Sequence, residues 1–375
     1  GNFSVAKGYT LQKSNVAGTI AFTGTLNTTD RSIGITDGGD DPAGNRWNLV
    51  GNPYTAALHG NNAADGTNNF LKVNIDANNL DPTRAGLYLW NGAAPYEIKS
   101  LDDAAFSIAA GQAFFVHAPD NGGTSVSFTE DMQTHQTGNV FLRTTNSYPE
   151  IILNISNDKN NAFTKIRYIE NKTEGLDIGS DVGTFTGENS NFSVFSHFIG
   201  DSTNVDFAIQ ALPDNNFENM IIPIGVNVEK GKEISFSLNK NNFPTALKIF
   251  LEDRELNKFI RLDEVNSSYS ITLNDDKNNI GRFYLHTKNS VLSTNNVTLE
   301  NIIIYKPSQD ILRIQNLPEG KSEISIFNIL GKQLLTSSLN SLLVNDISIA
   351  SFSKGIYLIQ IQTENGKINK KIIRE

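Results

Sequence analysis

The sequence predicts an all-β protein: tandem β-sandwich modules followed by a small immunoglobulin-like sandwich. Three observations carry this. The chain has 22 Phe and 10 Tyr, rings that can fill β cores, but only two Met and two Trp. Apolar residues recur in short alternating runs, each stopped by Gly, Asn or Pro, which is the mark of strands joined by turns. No long stretch carries the 3.6-residue periodicity of an amphipathic helix.

At 375 residues the chain exceeds one ordinary core, and about 150 residues per domain predicts two or three. The first module is expected over 1–143. Its strand-length runs are TIAFTGTL (Thr19 to Leu26), WNLVGNPY (Trp47 to Tyr54), GLYLWNG (Gly86 to Gly92) and AGQAFFVHAP (Ala110 to Pro119). A boundary is expected within LRTTNSYPE (Leu142 to Glu150). The second module, 144–287, opens with EIILNIS and closes with GRFYLHT, with TKIRYIE, NFSVFSHF, VDFAIQAL, EISFSLN, ALKIFLED and YSITLND between them. Regular short strands of this kind predict an antiparallel sandwich. The polar stretch KNSVLSTNNVTLEN, 288–301, reads as a linker. The last domain, 302–375, has ILRIQNL, EISIFNI, a turn at Leu330-Gly331, KQLLTSS, and a long run into a closing hairpin, about seven strands in all.

That hairpin places Asn365-Gly366 between two β-rich runs, the dipeptide suited to a two-residue type I′ turn. Centred there, the register sets Glu364 opposite Lys367, Thr363 opposite Ile368, Ile361 opposite Lys370, and Ile359 opposite Ile372.

The net charge of -9 is unevenly spread. From Ser293 onward nine Lys and Arg stand against seven Asp and Glu, whereas the preceding residues hold 22 against 33. An acidic body excludes nucleic acid as the main partner. The absence of cysteine excludes disulfides and thiolate metal sites. No run approaches the roughly 18 apolar residues of a membrane-crossing helix. The start, GNFSVAKGYTLQK, has neither Met nor a signal-like organisation, so a processed or internal piece is expected.

Chemistry is sparse. His59, His117, His135, His197 and His286 lie far apart with no metalloprotease spacing, and there is neither a nucleophile elbow nor a Walker loop, so no enzyme activity is expected of this chain. Calcium is the one metal for which donors cluster. TDGGDDPAGN offers Asp37, Asp40 and Asp41, and NIDANNLDP offers Asp76, Asn78 and Asp81, hard oxygens on turn-forming segments. Otherwise no cofactor is expected. Trp47, Tyr54, Tyr88, Trp90 and Tyr96 fit either a sugar-stacking surface or, given their strand-like alternation, a packed core.

The residues from 302 onward resemble the C-terminal sorting domain, type A, of proteins exported by the type IX (Por) secretion system of Bacteroidota. DILRIQNL, the ISIFNILGKQLL hairpin with Gly331 and Lys332, and ISIASFSKGIYLIQIQTENGKINKKII carry the likeness. The family's Pro-Asn-Pro opening is reduced here to Pro307 within IYKPSQDIL. GYTL, FTGTLN, WNLVGNPY and IAAGQAFFV in the first module, and TKIRYIE, FAIQALP, IPIGV, IFLEDRELNKFIRL and RFYLHT in the second, look like modules found upstream of such domains. The resemblance implies a secreted, adhesin-like cell-surface protein, or alternatively carbohydrate-binding or accessory modules of a surface hydrolase whose catalytic domain lies upstream. It implies as partners the outer-membrane translocon, a barrel-type shuttle and a sortase-like protease cutting between about Asn289 and Thr298, with anchoring to anionic lipopolysaccharide. The signal residues it implies are Gly331, Lys332, Lys354, Gly355, Tyr357, Asn365, Gly366, Lys367, Lys370 and Lys371.

Overall fold

The computed structural model describes residues 3–10, 23–38, 46–90, 92, 95–120, 124–135, 147–186, 192–199, 205–215, 220–274, 281–289, 302–315, 317, 320–339, 345–363 and 366–374. It divides into two compact units, Gly1–Asn289 and Ser290–Glu375, and the division falls within the stretch expected as a linker.

The first half of the first unit holds β1 (Arg31–Ile35), β2 (Trp47–Gly51), β3 (Ala57–His59), helix α1 (Phe70–Asp76), β4 (Leu87–Leu89), β5 (Glu97–Lys99), β6 (Ser107–Ile108), β7 (Ala113–His117), β8 (Thr124–Phe128) and β9 (Gln133–Thr134). They form the sheets β2-β7-β4-β5, β6-β3-β9 and β1-β8. Of the run Thr19 to Leu26, the described residues Thr23–Leu26 are irregular rather than a strand.

Helix α1 departs from the expected all-strand pattern. Asn69 caps it by accepting from the Lys72 amide at 2.8 Å, and Asn78, at φ 56°, supplies the left-handed residue that stops it. Phe70 anchors it in the core against Phe114 and Phe128, with ring centroids 5.0 and 5.1 Å away.

The second half contains β10 (Glu150–Ser156), β11 (Asn161–Ile169), β12 (Val182–Gly183), β13 (Ser193–Ser196), β14 (Phe207–Pro213) and β15 (Ile221–Asn227). It continues with β16 (Glu233–Asn241), β17 (Leu247–Asp253), β18 (Lys258–Arg261), β19 (Tyr269–Thr272) and β20 (Phe283–Asn289). They build one sheet in the order β18-β17-β20-β15-β13-β14-β11-β10-β16-β19, with β12 beside β14. The sheet is not purely antiparallel as expected, because β11 and β14 run parallel. A parallel pair requires a long crossover, and the chain between them, which includes β12 and β13, provides it. The sheet folds over itself. Phe236 of β16 packs 4.9 Å from Phe283 of β20, and Tyr269 of β19 donates to Asp253 of β17 at 2.9 Å. Alternate residues such as Ile151, Leu153 and Ile155 fill the space between with no solvent exposure.

Each half thus has its own core, and a third cluster joins them. Trp47 and Tyr88 pack with Val182 and Ile209, and the Tyr88 hydroxyl donates to the Gly183 carbonyl at 2.6 Å. Arg167, 1% exposed, reaches from β11 to Ser100 and Asp103. These contacts run across the 143/144 boundary expected from sequence and hold both halves in one unit.

The second unit contains β21 (Ile303–Ser308), β22 (Ile311–Gln315), β23 (Ser322–Asn328), β24 (Gln333–Leu339), β25 (Asn345–Ser348), β26 (Gly355–Thr363) and β27 (Gly366–Arg374). They form two sheets, β21-β22-β25 and β24-β23-β26-β27. Between them lies a core that includes Ile304, Leu312 and Ile314 from one sheet and Ile324, Ile326, Ile359 and Ile361 from the other. This is the small immunoglobulin-like sandwich that the sequence predicts. The pairing of β21 shifts between Tyr305 and Ser308, around Pro307, where the missing amide interrupts the ladder.

Candidate functional site

The last two strands form the longest hairpin of the second unit, and its register corrects the expected one. Thr363 stands opposite Gly366, so Ile361 faces Ile368, Ile359 faces Lys370, and Tyr357 faces Ile372. Each residue of β26 therefore pairs two positions earlier on β27 than a turn centred on Asn365-Gly366 would give. Gly366, at φ 137°, already belongs to the strand, and its carbonyl accepts from Thr363 Oγ1 at 3.2 Å. The observed register gains an Ile361–Ile368 pair over the core in place of Ile361 against Lys370. Asn365 lies outside the described residues.

Tyr357 is a core residue, 6% exposed. It packs 5.1 Å from Phe352, and its hydroxyl donates to the Ser353 carbonyl at 2.6 Å. That bond closes the turn that leads from exposed Lys354 into β26 at the half-buried Gly355. Gly331, at φ 78°, makes the other tight turn, where the Asn328 side-chain oxygen accepts from the amides of Leu330 and Lys332. Lys367, Lys370 and Lys371 all lie on the edge strand β27 but not on one face. Lys367 and Lys371 point outward opposite Gln362 and Leu358, while Lys370, on the inner face, donates from Nζ to the Ile304 carbonyl at 2.7 Å. Arg374, the last basic residue of the tail, donates to Asp310 Oδ1 at 2.7 Å and to the Ala350 carbonyl at 3.0 Å.

The calcium candidates fall in two stretches of the first unit. Asp40 and Asp41 lie outside the described residues, and Asp37 sits after β1. Asp76 pairs with Lys72 within α1 at 2.9 Å, and Asn78 ends that helix. Asp81 faces His117 Nδ1 at 3.0 Å and Arg46 at 3.5 Å, and it accepts from the Thr83 amide and hydroxyl at 2.8 Å. Burial pushes the Asp81 carboxyl up, but these donors outweigh it and hold the group down to about 2. Among the described residues, no group of three or more His, Asp or Glu side chains is disposed to hold a metal.

Three of the five aromatic candidates, Trp47, Tyr54 and Tyr88, are buried. Trp90 is 57% exposed, 5.1 Å from Tyr96, which in turn stacks on Phe185 at 4.2 Å.

The second unit, a seven-stranded sandwich with a folded closing hairpin, spans the residues that match a family of C-terminal sorting signals, which places the chain among exported proteins. Residues 304–375 match the family described as "Secretion system C-terminal sorting domain", and the chain is a type IX secretion substrate, exported to the cell surface or secreted. Residues 1–287 match "Domain of unknown function (DUF8693)", and the chain belongs to that family. No curated protein matches the chain.

Proposed function

We propose that this chain is an adhesin-like cell-surface protein without catalytic activity. In this reading the outer-membrane translocon and a barrel-type shuttle read the folded second unit, and a sortase-like protease then removes it by cutting within 288–301. Anchoring to anionic lipopolysaccharide would follow the cut. The observation that carries the reading is the completed sandwich over the residues that match the sorting family, with β27 in register along the whole of β26. Fusing residues from about 293 onward to a foreign passenger, behind an inner-membrane signal, tests it in a type IX-competent cell. Secretion of the passenger and loss of the sandwich at the surface are expected. Passenger held in the periplasm would sink the proposal.

One observation favours a binding role alongside sorting. The half-exposed Trp90 rests on the Tyr96–Phe185 stack and presents a fixed ring of the kind that sugar faces bury. Glycan-array binding by residues 1–289 that Trp90→Ala removes is expected if the module binds carbohydrate.

A further inference from the structure

The outer face of the β24-β23-β26-β27 sheet is polar at one end and apolar at the other. Near Gly366 the outward residues of the hairpin are Gln362, Lys367, Gln360 and Asn369, and Gln360 Nε2 donates to Asn369 Oδ1 at 3.0 Å. Toward the opposite end the same two strands turn outward Leu358, Ile356 and Ile373, which are 44%, 43% and 51% exposed. Ile356 stands opposite Ile373, and Leu358 lies between Phe327 of β23 and Lys371 of β27. At this end, therefore, β26 is apolar on both faces, Tyr357 and Ile359 inward, Ile356 and Leu358 outward. The core requires only the inward set. A contiguous exposed apolar patch on a soluble domain marks a surface that something covers.

We propose that the protein machinery of secretion docks on this apolar end, through a groove whose rim carries carboxylates. The proposal rests on the sorting function of the second unit and adds the face that is read. Two exposed lysines favour this occupant: Lys371 flanks Leu358 across the ladder, and Lys354 immediately precedes β26. A second copy of the chain fits less well, because a twofold contact through the same patch would bring the lysines of both copies together. Leu358 is placed to act as the central anchor, with Ile356, Ile373 and Phe327 excluding water around it.

The test uses the full chain behind an inner-membrane signal in a type IX-competent cell, with the secreted fraction as readout. Replacing Ile356 and Leu358 together by Ser should lower that fraction about tenfold, as loss of an interface anchor does, with the melting temperature of the purified chain unchanged. Gln360→Ser, at the polar end, should export normally. Lys371→Glu, which leaves the apolar side chains in place, should also lower export and decides the matter if the double variant melts early. Normal export of both Lys371→Glu and the Ser variant would overturn the docking face. Deleting 304–375 separates this from the sorting reading: if the deletion also exports, that reading itself falls, and if only the deletion is retained, the docking face alone falls. Binding to phosphatidylglycerol vesicles, or concentration-dependent dimers, that the Ser variant abolishes would overturn the proposal in favour of a membrane or a second copy.

Discussion

Lys370 Nζ donates to the backbone carbonyl of Ile304 at 2.7 Å, tying the edge strand β27 of one sheet to β21 of the other. A lysine on the inner face of a terminal strand would otherwise interrupt the core. Here its stem lies over the sandwich edge while its head reaches an oxygen. Lys306 makes the reciprocal contact, donating to the Ile373 carbonyl at 2.5 Å. Lys370→Met keeps the stem and removes the donor, and should cost about 1 kcal/mol. For a unit of this size that lowers the melting temperature by roughly 4–8 °C, visible in the second unit's transition during thermal unfolding of the chain. An unchanged transition would mean that the ammonium group contributes nothing there.

The second prediction concerns Arg167. Its guanidinium meets Glu150 at 2.9 Å, Asp103 at 2.6 Å and Ser100 at 2.7 Å, with both carboxylates nearly as buried as itself. Burial pushes the Asp103 carboxyl up, but Arg167 and neighbouring lysines hold it below its ordinary value. Arg167→Met would strand two buried carboxylates, so a loss of about 3–5 kcal/mol is expected. Urea unfolding followed by tryptophan fluorescence checks this, since Trp47 lies in the cluster that joins the same two halves. A midpoint within error of the parent would show that the carboxylates find other partners.

Acid should act on the first unit through Asp81 and His117. The folded Asp81 carboxyl lies at about 2, below its ordinary 3.8, so its contribution is complete above about pH 4 and is lost as pH falls from there toward 2. Burial also lowers the His117 imidazole below its ordinary 6.5, ahead of the opposing pull of Asp81. That ring folds in its neutral form, so its contribution is present above 6.5 and declines as pH drops below it. Stability of the parent should therefore fall with acid in both windows. Asp81→Asn should be less stable at pH 7 and should flatten the step between pH 4 and 2. Denaturant midpoints measured from pH 7 to pH 2 supply the comparison, and parallel curves for the two proteins would refute the assignment.

The parts of the fold that were legible in sequence are those governed by neighbours along the chain. Alternation placed β2, β4, β7, β10 and β26, and the Gly331 and Asn365-Gly366 punctuation placed two hairpins. The register of the second hairpin was not legible for a specific reason. Moving the turn centre by one residue changes every partner by two positions, which leaves each side chain on the same face, so the apolar pattern is satisfied by both alternatives. Helix α1 was hidden by its length, seven residues being too few for a 3.6-residue period to show, although the Asn69 cap and the Phe70, Leu71, Asn74 spacing were present. The parallel β11–β14 pair and the Arg167–Asp103 contact join residues 44 and 64 apart, and no local pattern encodes them. The sorting domain was legible because its motifs are local. Its apolar outer face also left a trace, in that GIYLI breaks the alternation resumed by QIQT.

Removing Gly366–Arg374 gives the strongest expected effect on export. The deletion takes Ile368 and Ile372 from the core and uncovers the full length of β26, from Gly355 to Thr363, as an unpaired edge with Tyr357, Ile359 and Ile361 behind it. It also removes the Lys370 and Arg374 contacts to Ile304, Asp310 and Ala350. A sandwich of this size has little stability in reserve, so the unit should lose its cooperative fold and expose a strand edge prone to association. Export should cease, while the first unit, with cores built from its own residues, keeps its melting transition. Adding back β27 with its outward residues Lys367 and Asn369 changed to Ser, but with Ile368, Lys370 and Ile372 retained, should restore both folding and export. Restored folding without restored export would show that the outward residues at the polar end are read directly, and would move the recognition surface away from Leu358.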